Sequence, residues 1–368
     1  MKHFSNMMTL VSFFVILIMF SLSFIIFTDK KKIDISSGSV NELTQKTEST
    51  LAQNFPLKVN WNSLYANILV LTGRQQFDDV FLANNRLLRI HSIDKNNAIG
   101  NTKYINKFAD KYFAAVNVML VPTASGIYSA ELPEYAVGED QLDIINQIYM
   151  GFDKKVATID CFYPLYSARS EYIFYRTEDL WTSFGAYYAY CESVKTLGVQ
   201  VSKLENYDQE YASSSFTGSL YDKAAYPKIT PDRINIFRSK YQSAVKSVEM
   251  ELDGQVKSSS SVYFRSALKT NKETDIFLQG DKYERITVNT TNEEASRLLV
   301  IKGSYANSII PFYTPHYSEI TIIDPELVKK AGKKITDYVN PNRYEDILLI
   351  YDVDDFSQAD HFDVLVDE

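Results

Sequence analysis

The chain has 368 residues, a formal charge of −8 and 45% hydrophobic residues. That is enough apolar material for one large domain or two small ones, and the acidic balance, with no basic stripe, excludes nucleic-acid binding. Cys161 and Cys191 are the only cysteines. Without CxxC or Cys/His spacing they exclude a structural zinc site, and they leave a disulfide open beside two separate buried thiols.

The first element in chain order is Met7 to Phe27, apolar except for Thr9, Ser12, Ser21 and Ser23. A helix of about 20 residues spans a bilayer core, so this stretch is expected to be an uncleaved anchor, with Lys2 before it and Lys30 to Lys32 after it. Residues 33–80 follow as a stalk and linking helix. Spaced apolar residues suit a helix over Thr50 to Thr72, broken near Pro56. Phe77 to Ile90 alternates and turns at Asn84-Asn85, the pattern of a hairpin.

The main domain is expected over residues 81–368. Lys103 to Phe113 reads as a helix, Val116 to Pro122 as a strand, Gln141 to Met150 as a helix, Val156 to Asp160 as a strand and Ser183 to Leu197 as a helix. Such alternation predicts an α/β layer fold with helices covering a mostly parallel sheet, and places functional residues beyond the carboxyl ends of strands. Residues 206–270 interrupt the pattern. Asn206 to Met250 is polar and tyrosine-bearing, with little helix expected. Met250 to Gln255, Ser261 to Phe264 and Asp275 to Gly280 suggest a small β element. Such an insertion either borders a cleft or elaborates the surface.

Leu298 to Ile301 is an apolar run suited to a buried strand, and Ile320 to Ile323 starts another. Gly303-Ser304 lies between them, where the chain must turn. A serine there sits at the mouth of the sheet on the first residues of a helix, the place of a nucleophile. The plainer reading is a helix N-cap. Asp346 to Val353 is a further buried strand, and the acidic last fifteen residues are expected to be solvated. Asp352, Asp354 and Asp355 lack the glycine and spacing of a cation loop, so no metal and no cofactor are expected.

The block from Phe174 to Tyr190, FYRTEDLWTSFGAYYAY, resembles the DHHW proteins, bacterial relatives of the SGNH-hydrolase-like proteins that O-acetylate alginate and other exopolysaccharides. Those carry Tyr-Arg-Thr-Asp-His-His-Trp-Thr here and a Lys-Asp-Ser-Tyr-Ala turn, matched by Lys302-Gly303-Ser304-Tyr305-Ala306. Phe81 to Leu88, Leu120 to Tyr128 and His316 to Glu319 also resemble the family. The resemblance implies an SGNH-hydrolase-like (flavodoxin-like) three-layer α/β domain with a β-containing insertion, preceded by one transmembrane helix. It also implies a single-pass protein of the bacterial cytoplasmic membrane, residues 1–32 forming a cytoplasmic tip and anchor and the bulk lying outside. Expected partners are a cell-surface polysaccharide and a membrane-bound acyltransferase.

A serine needs an adjacent base held by a third group. The resemblance puts the acid at Glu178 and the histidine at Leu180, with Asp179 at the motif's other histidine. Leucine cannot take a proton. Gly303 replaces the motif's aspartate, and Gly280-Asp281 stands where a glycine–asparagine pair helps form the oxyanion hole. An ionised Asp281 would repel a developing oxyanion. Tyr175, Arg176, Thr177, Trp181 and Tyr305 are expected to support or bind. His316, twelve residues past Ser304, is a weak substitute base, and His91 and His361 are expected on exposed loops. The residues therefore predict a catalytically impaired relative, with an active O-acetyltransferase or acetylesterase using Ser304 and a non-standard base as the alternative.

Overall fold

The computed structural model describes residues 7, 10–15, 17–19, 21, 58–240 and 245–366. Two compact units separate. One comprises the residues up to Arg74 together with Ala225–Pro227, the other Gln75–Ala224 and Lys228–Glu368. In the first unit, α1 (Lys58–Leu71) buries only Ala66, and the expected helical residues 50–57 lie outside the described set. The anchor expected over residues 7–27 is corrected here. Among the described residues no helix is long and apolar enough to cross a membrane. The single-pass membrane placement, the extracytoplasmic location and the membrane-bound acyltransferase partner, which the resemblance implied, are corrected with it, because no membrane segment is found among the described residues to support them.

The second unit opens with an antiparallel hairpin sheet, β1 (Gln76–Phe77), β2 (Val80–Ala83) and β3 (Arg86–Arg89). Asn84 and Asn85 take positive φ of 42° and 61°, the conformation a two-residue hairpin turn demands. An eight-stranded sheet carries the rest. Its members are β4 (Ala115–Val121), β5 (Val156–Asp160), β8 (Val245–Leu252), β9 (Gln255–Ser259), β10 (Arg285–Thr290), β11 (Arg297–Lys302), β12 (Glu319–Ile323) and β13 (Asp346–Asp352), in the order β5-β4-β13-β11-β12-β10-β8-β9. The first five are parallel; β10, β8 and β9 add antiparallel at the β12 edge.

Side chains of a strand alternate between faces, yet every residue over Leu298–Lys302 and Ile347–Asp352 is buried. Cover on both faces is required, which is why these strands read as unbroken apolar runs. That cover includes α2 (Lys95–Lys111), α3 (Gln141–Tyr149) and α4 (Ser183–Thr196). Asp94, Asp140 and Thr182 cap the three N-termini with side-chain oxygens.

The insertion holds more strand than its polar composition suggested. Residues 206–250 are largely strand: β6 (Tyr207–Phe216) and β7 (Asp232–Ser239) pair as a separate antiparallel sheet, and β8 joins the main one. Polar composition concealed these strands because β6 buries only its two end residues, Tyr207 and Phe216. Ser261 to Phe264 forms only a single bridge, Tyr263 to Phe277, and Glu273–Ile276 is a 3-10 turn. The tail is also not solvated. Helix α5 (Val353–Gln358) and the turn after it bury Val353, Phe356, Phe362, Val364 and Leu365. Asn101 of α2 donates to the carbonyls of Phe356 at 2.9 Å and Ala359 at 3.0 Å, fixing that segment. The cysteines are both free thiols, and Cys161 Sγ donates to the Leu120 carbonyl.

Parallel register decides where the chemistry collects. Val300 of β11 lies beside Ile322 of β12 and Leu348 of β13, and Leu349 lies beside Val118 of β4. The carboxyl ends of four strands therefore reach one edge, bringing Lys302, Ser304, Asp324, Asp352 and Thr123 close together.

Candidate active site

Ser304 opens a 3-10 turn, Ser304–Ser308, two residues beyond β11. The turn is held from above by Trp181, which is buried and donates Nε1–H to the Tyr305 carbonyl at 2.9 Å and to Ser308 Oγ at 2.8 Å. The Trp181 and Tyr305 rings pack with centroids 5.4 Å apart. Ser304 has no side-chain capping bond to the turn it begins. Asp281 lines the same cavities as Ser304, and the hydroxyl helps hold its carboxyl ionised.

Asp281 keeps 43% of its side chain exposed and also accepts from Lys302 Nζ and, at 2.8 Å, from Asn307 Nδ2. Burial pushes its carboxyl up, but Lys302, Asn307 and Ser304 outweigh that and hold it below the usual carboxylate range. An ionised group so held is a poor acceptor for a serine proton. Lys302 is enclosed, and Asp324 lies 3.5 Å from its Nζ on the other side. Burial favours its neutral form, yet the two carboxylates keep it charged.

The approach to Asp281 is strained. Leu278, Gln279 and Gly280 take φ of 53°, 63° and 70° in succession. Each non-glycine residue there costs about 1–2 kcal/mol. At Gly280 a Cβ would lie 2.3 Å from Asp275 Oδ1, so only glycine fits. Gly303 is tight for another reason: a Cβ there would lie 2.9 Å from Cδ1 of the buried Tyr351 ring.

The motif loop is built around a residue that spacing did not reveal. Asp232, at the start of β7, has no exposed surface. Its carboxylate accepts from Tyr172 Oη at 2.6 Å, Arg176 N at 2.8 Å, Thr177 N at 2.8 Å and Thr177 Oγ1 at 2.5 Å. Arg176 and Thr177 are thereby assigned to holding the loop. Tyr175 packs edge-on against Phe216. Glu178 accepts from its neighbour Asp179 N at 2.8 Å and from Ser219 N and Oγ at 2.9 and 2.5 Å, so it ties the loop to the Ser219 segment.

Ser304 lines three cavities: a small one of about 80 Å³ shared with Leu180, Trp181 and Asp281, and two larger ones. One, of about 560 Å³, is bounded by Asp281, Lys302, Asp324, Lys329, Tyr351 and His361. The other, of about 390 Å³, is bounded by Arg89, His91, Asp179, Leu180, Asp355 and Tyr305, among others. Leu180, at the position where the motif has its histidine, thus lines the same cavity as the serine. His91 was expected on an exposed loop. It is half-buried at this second cavity, with Nε2 2.8 Å from Asp179 Oδ2 and 3.4 Å from Asp354 Oδ2. His361 is buried and hydrogen-bonded to Tyr351 Oη at 3.2 Å. His316 is bonded to Tyr190 Oη at 2.6 Å and lines none of the three.

Carboxylates crowd the far wall. Asp352 caps α5 through Oδ1, and burial pushes its carboxyl far up, followed by the charges of Asp355 and Asp354. Asp354 is pushed up to about 6, first by burial and then by Asp179 and Asp355, against the pull of His91. A carboxyl raised on folding holds its proton longer in the fold than in the unfolded chain. Stability contributed by that protonation is present at low pH and lost as pH rises from the ordinary carboxylate range through about 6. Asp354→Asn should therefore gain thermal stability over the parent chain at pH 8, with the gain shrinking toward pH 5. Unfolding midpoints across that range check the sign; a gain that grows in acid would contradict it. Among the described residues no group of acidic, histidine or cysteine side chains is arranged to hold a metal ion.

A parallel core flanked by helices, with a serine turn leaving a central strand and a Trp-anchored motif loop facing it, defines an α/β domain of the layered, parallel-sheet kind. The family comparison is specific: residues 78–323 match the model described as "DHHW protein". The chain belongs to the DHHW family. No curated protein matches it. Among solved structures it is similar to a DHHW family protein from Eubacterium siraeum, with a TM-score of 0.61 and 22% identity over 78% of this chain and 96% of that one. It is also similar to Bacillus cereus PatB1, solved with and without a sulfonyl adduct, each at a TM-score of 0.65. Identities are 17% and 18%, over 77% of this chain and 97% and 98% of the two PatB1 chains. At these identities the likeness is one of fold.

Proposed function

We propose that the chain processes O-acyl esters of a polysaccharide at Ser304, by acyl transfer or ester hydrolysis. The observation that carries this reading is the Ser304 hydroxyl, placed beyond the carboxyl end of a central parallel strand and bordering, with Asp281, two sizeable polar cavities. Cavities of about 560 and 390 Å³ are in the size range of small-ligand sites. Their rims of carboxylates, lysines and hydroxyls suit a hydroxyl-rich sugar. The family resemblance to proteins that O-acetylate exopolysaccharides supports an acyl group as the cargo.

Leu180 favours a second reading, in which the cleft binds a glycan without turnover, because the motif's proton acceptor is missing at that position. The full chain assayed with p-nitrophenyl acetate and with an acetylated glycan separates the two. Ser304→Ala should lower turnover about 100-fold or more. Equal rates in parent and variant, or no rate in either, would favour binding alone.

A further inference from the structure

The site lacks an imidazole at position 180, yet one borders the same cavity from a different part of the chain. His91 follows the hairpin strand β3, and the ring lies 88 residues away in sequence from the loop it meets. Its Nε2 faces two carboxylates, Asp179 at 2.8 Å and Asp354 at 3.4 Å. A nitrogen between two such acceptors carries the proton, which leaves Nδ1 as the acceptor. Nδ1 has no hydrogen-bond partner among the described residues. One ring nitrogen bound to a carboxylate and the other open is the arrangement that makes histidine a base for an alcohol.

We propose that His91, oriented by Asp179, takes over proton transfer for Ser304 in place of the missing imidazole. This rests on the reading of Ser304 as an acyl acceptor. Asp179 stands at a motif position that carries histidine elsewhere in the family, so the substitution at 179 supplies a partner for the relocated ring. In the first half-reaction Ser304 Oγ bonds to the carbonyl carbon of an O-acetyl ester, and its proton passes to His91 Nδ1. The bond from that carbon to the donor's alkoxy oxygen then breaks, and the departing alcohol takes the proton from the imidazolium. In the second, a sugar hydroxyl or water attacks the acyl-serine, gives its proton to His91, and the proton returns to Ser304 Oγ as that ester bond breaks. Atoms and charges balance without a further reactant.

The charged groups facing His91 are Asp179 on the motif loop, Asp354 on α5 and Arg89 on β3, with Glu139 at a neighbouring cavity. Burial lowers its proton affinity, but Asp179 and Asp354 outweigh burial and Arg89, so the ring holds its proton above the ordinary histidine range. Activity that needs the neutral ring should rise with pH through that raised value. His361 is the competing ring: it borders the larger cavity, but its Nε2 is met by the Tyr351 hydroxyl and no carboxylate bonds to it.

The test uses the full chain and p-nitrophenyl acetate from pH 5 to 9, with folding followed by circular dichroism. His91→Asn should lower kcat about 100-fold or more with little change in KM and abolish the rising limb. Asp179→Asn should move that limb to lower pH, a shift that loss of a purely structural contact does not produce. His316→Asn should leave the profile unchanged. Turnover lost in Ser304→Ala but retained in His91→Asn would overturn the assignment while sparing the Ser304 reading. Turnover lost in His361→Asn and kept in His91→Asn would assign the base to the competing ring. If His91→Asn fails to fold, an Asp179→Asn profile with an unmoved limb overturns the proposal by itself. Absence of serine-dependent turnover in the parent chain removes the underlying reading instead.

Discussion

Asp232→Ala is expected to destabilise the second unit by about 3–5 kcal/mol, the largest stability effect of any single change near the motif loop. The carboxylate is fully enclosed and accepts from two backbone N–H groups and two hydroxyls. Removing it leaves those donors facing a hole that water cannot readily fill. The damage should also reach Leu180 and Trp181, which follow the held residues directly. Chemical denaturation would show a lower midpoint. A loss below about 1 kcal/mol, the worth of a single ordinary hydrogen bond, would mean that the loop is held by something else. Asp232→Asn should be milder, since an amide oxygen still accepts from one side, but its NH₂ would oppose donors on the other.

Leu180→His is expected to raise ester hydrolysis about 10-fold, short of the roughly 100-fold or more that a general base contributes where none is present, because His91 already supplies one. Leu180 borders the cavity that also holds Ser304, so an imidazole there needs no new path to the hydroxyl. Glu178 would not hold that ring without first releasing Ser219, to which both its oxygens are committed. A base without an orienting carboxylate works below full strength, so the gain should be partial. The double variant Leu180→His with His91→Asn should keep most of it, because the new ring bypasses the old one. Failure of Leu180→His to change the rate, in a folded protein, would locate the defect elsewhere in the site, with Asp281 the first suspect.

Much of the fold was legible because buried parallel strands leave a blunt record. Leu298 to Ile301 and Asp346 to Val353 read as unbroken apolar runs, and both are central strands. Alternating, half-exposed strands left a weaker one. β6 shows few apolar residues and read as polar chain with little helix, and β10, which fully buries only every second side chain, drew no strand reading. The tail misled for a related reason: Asp355 and Asp360 are exposed, while Asp354, Phe356 and Phe362 turn inward.

In the site, local motifs placed Ser304, Trp181 and Asp281 near one another, because each lies at a recognisable turn or block. Residues contributed by distant segments were invisible. Asp232 meets the motif loop across 55 residues and His91 meets Asp179 across 88. No spacing rule connects such pairs; only the closing of the sheet does.

The ring of Tyr351 occupies the space that a side chain at position 303 would need. Putting back the motif's aspartate therefore demands a smaller residue at 351 as well, and that residue also supports His361. A side chain at 303 is thus coupled to the ring leaving β13, so the glycine turn and the aromatic beneath it act as one unit.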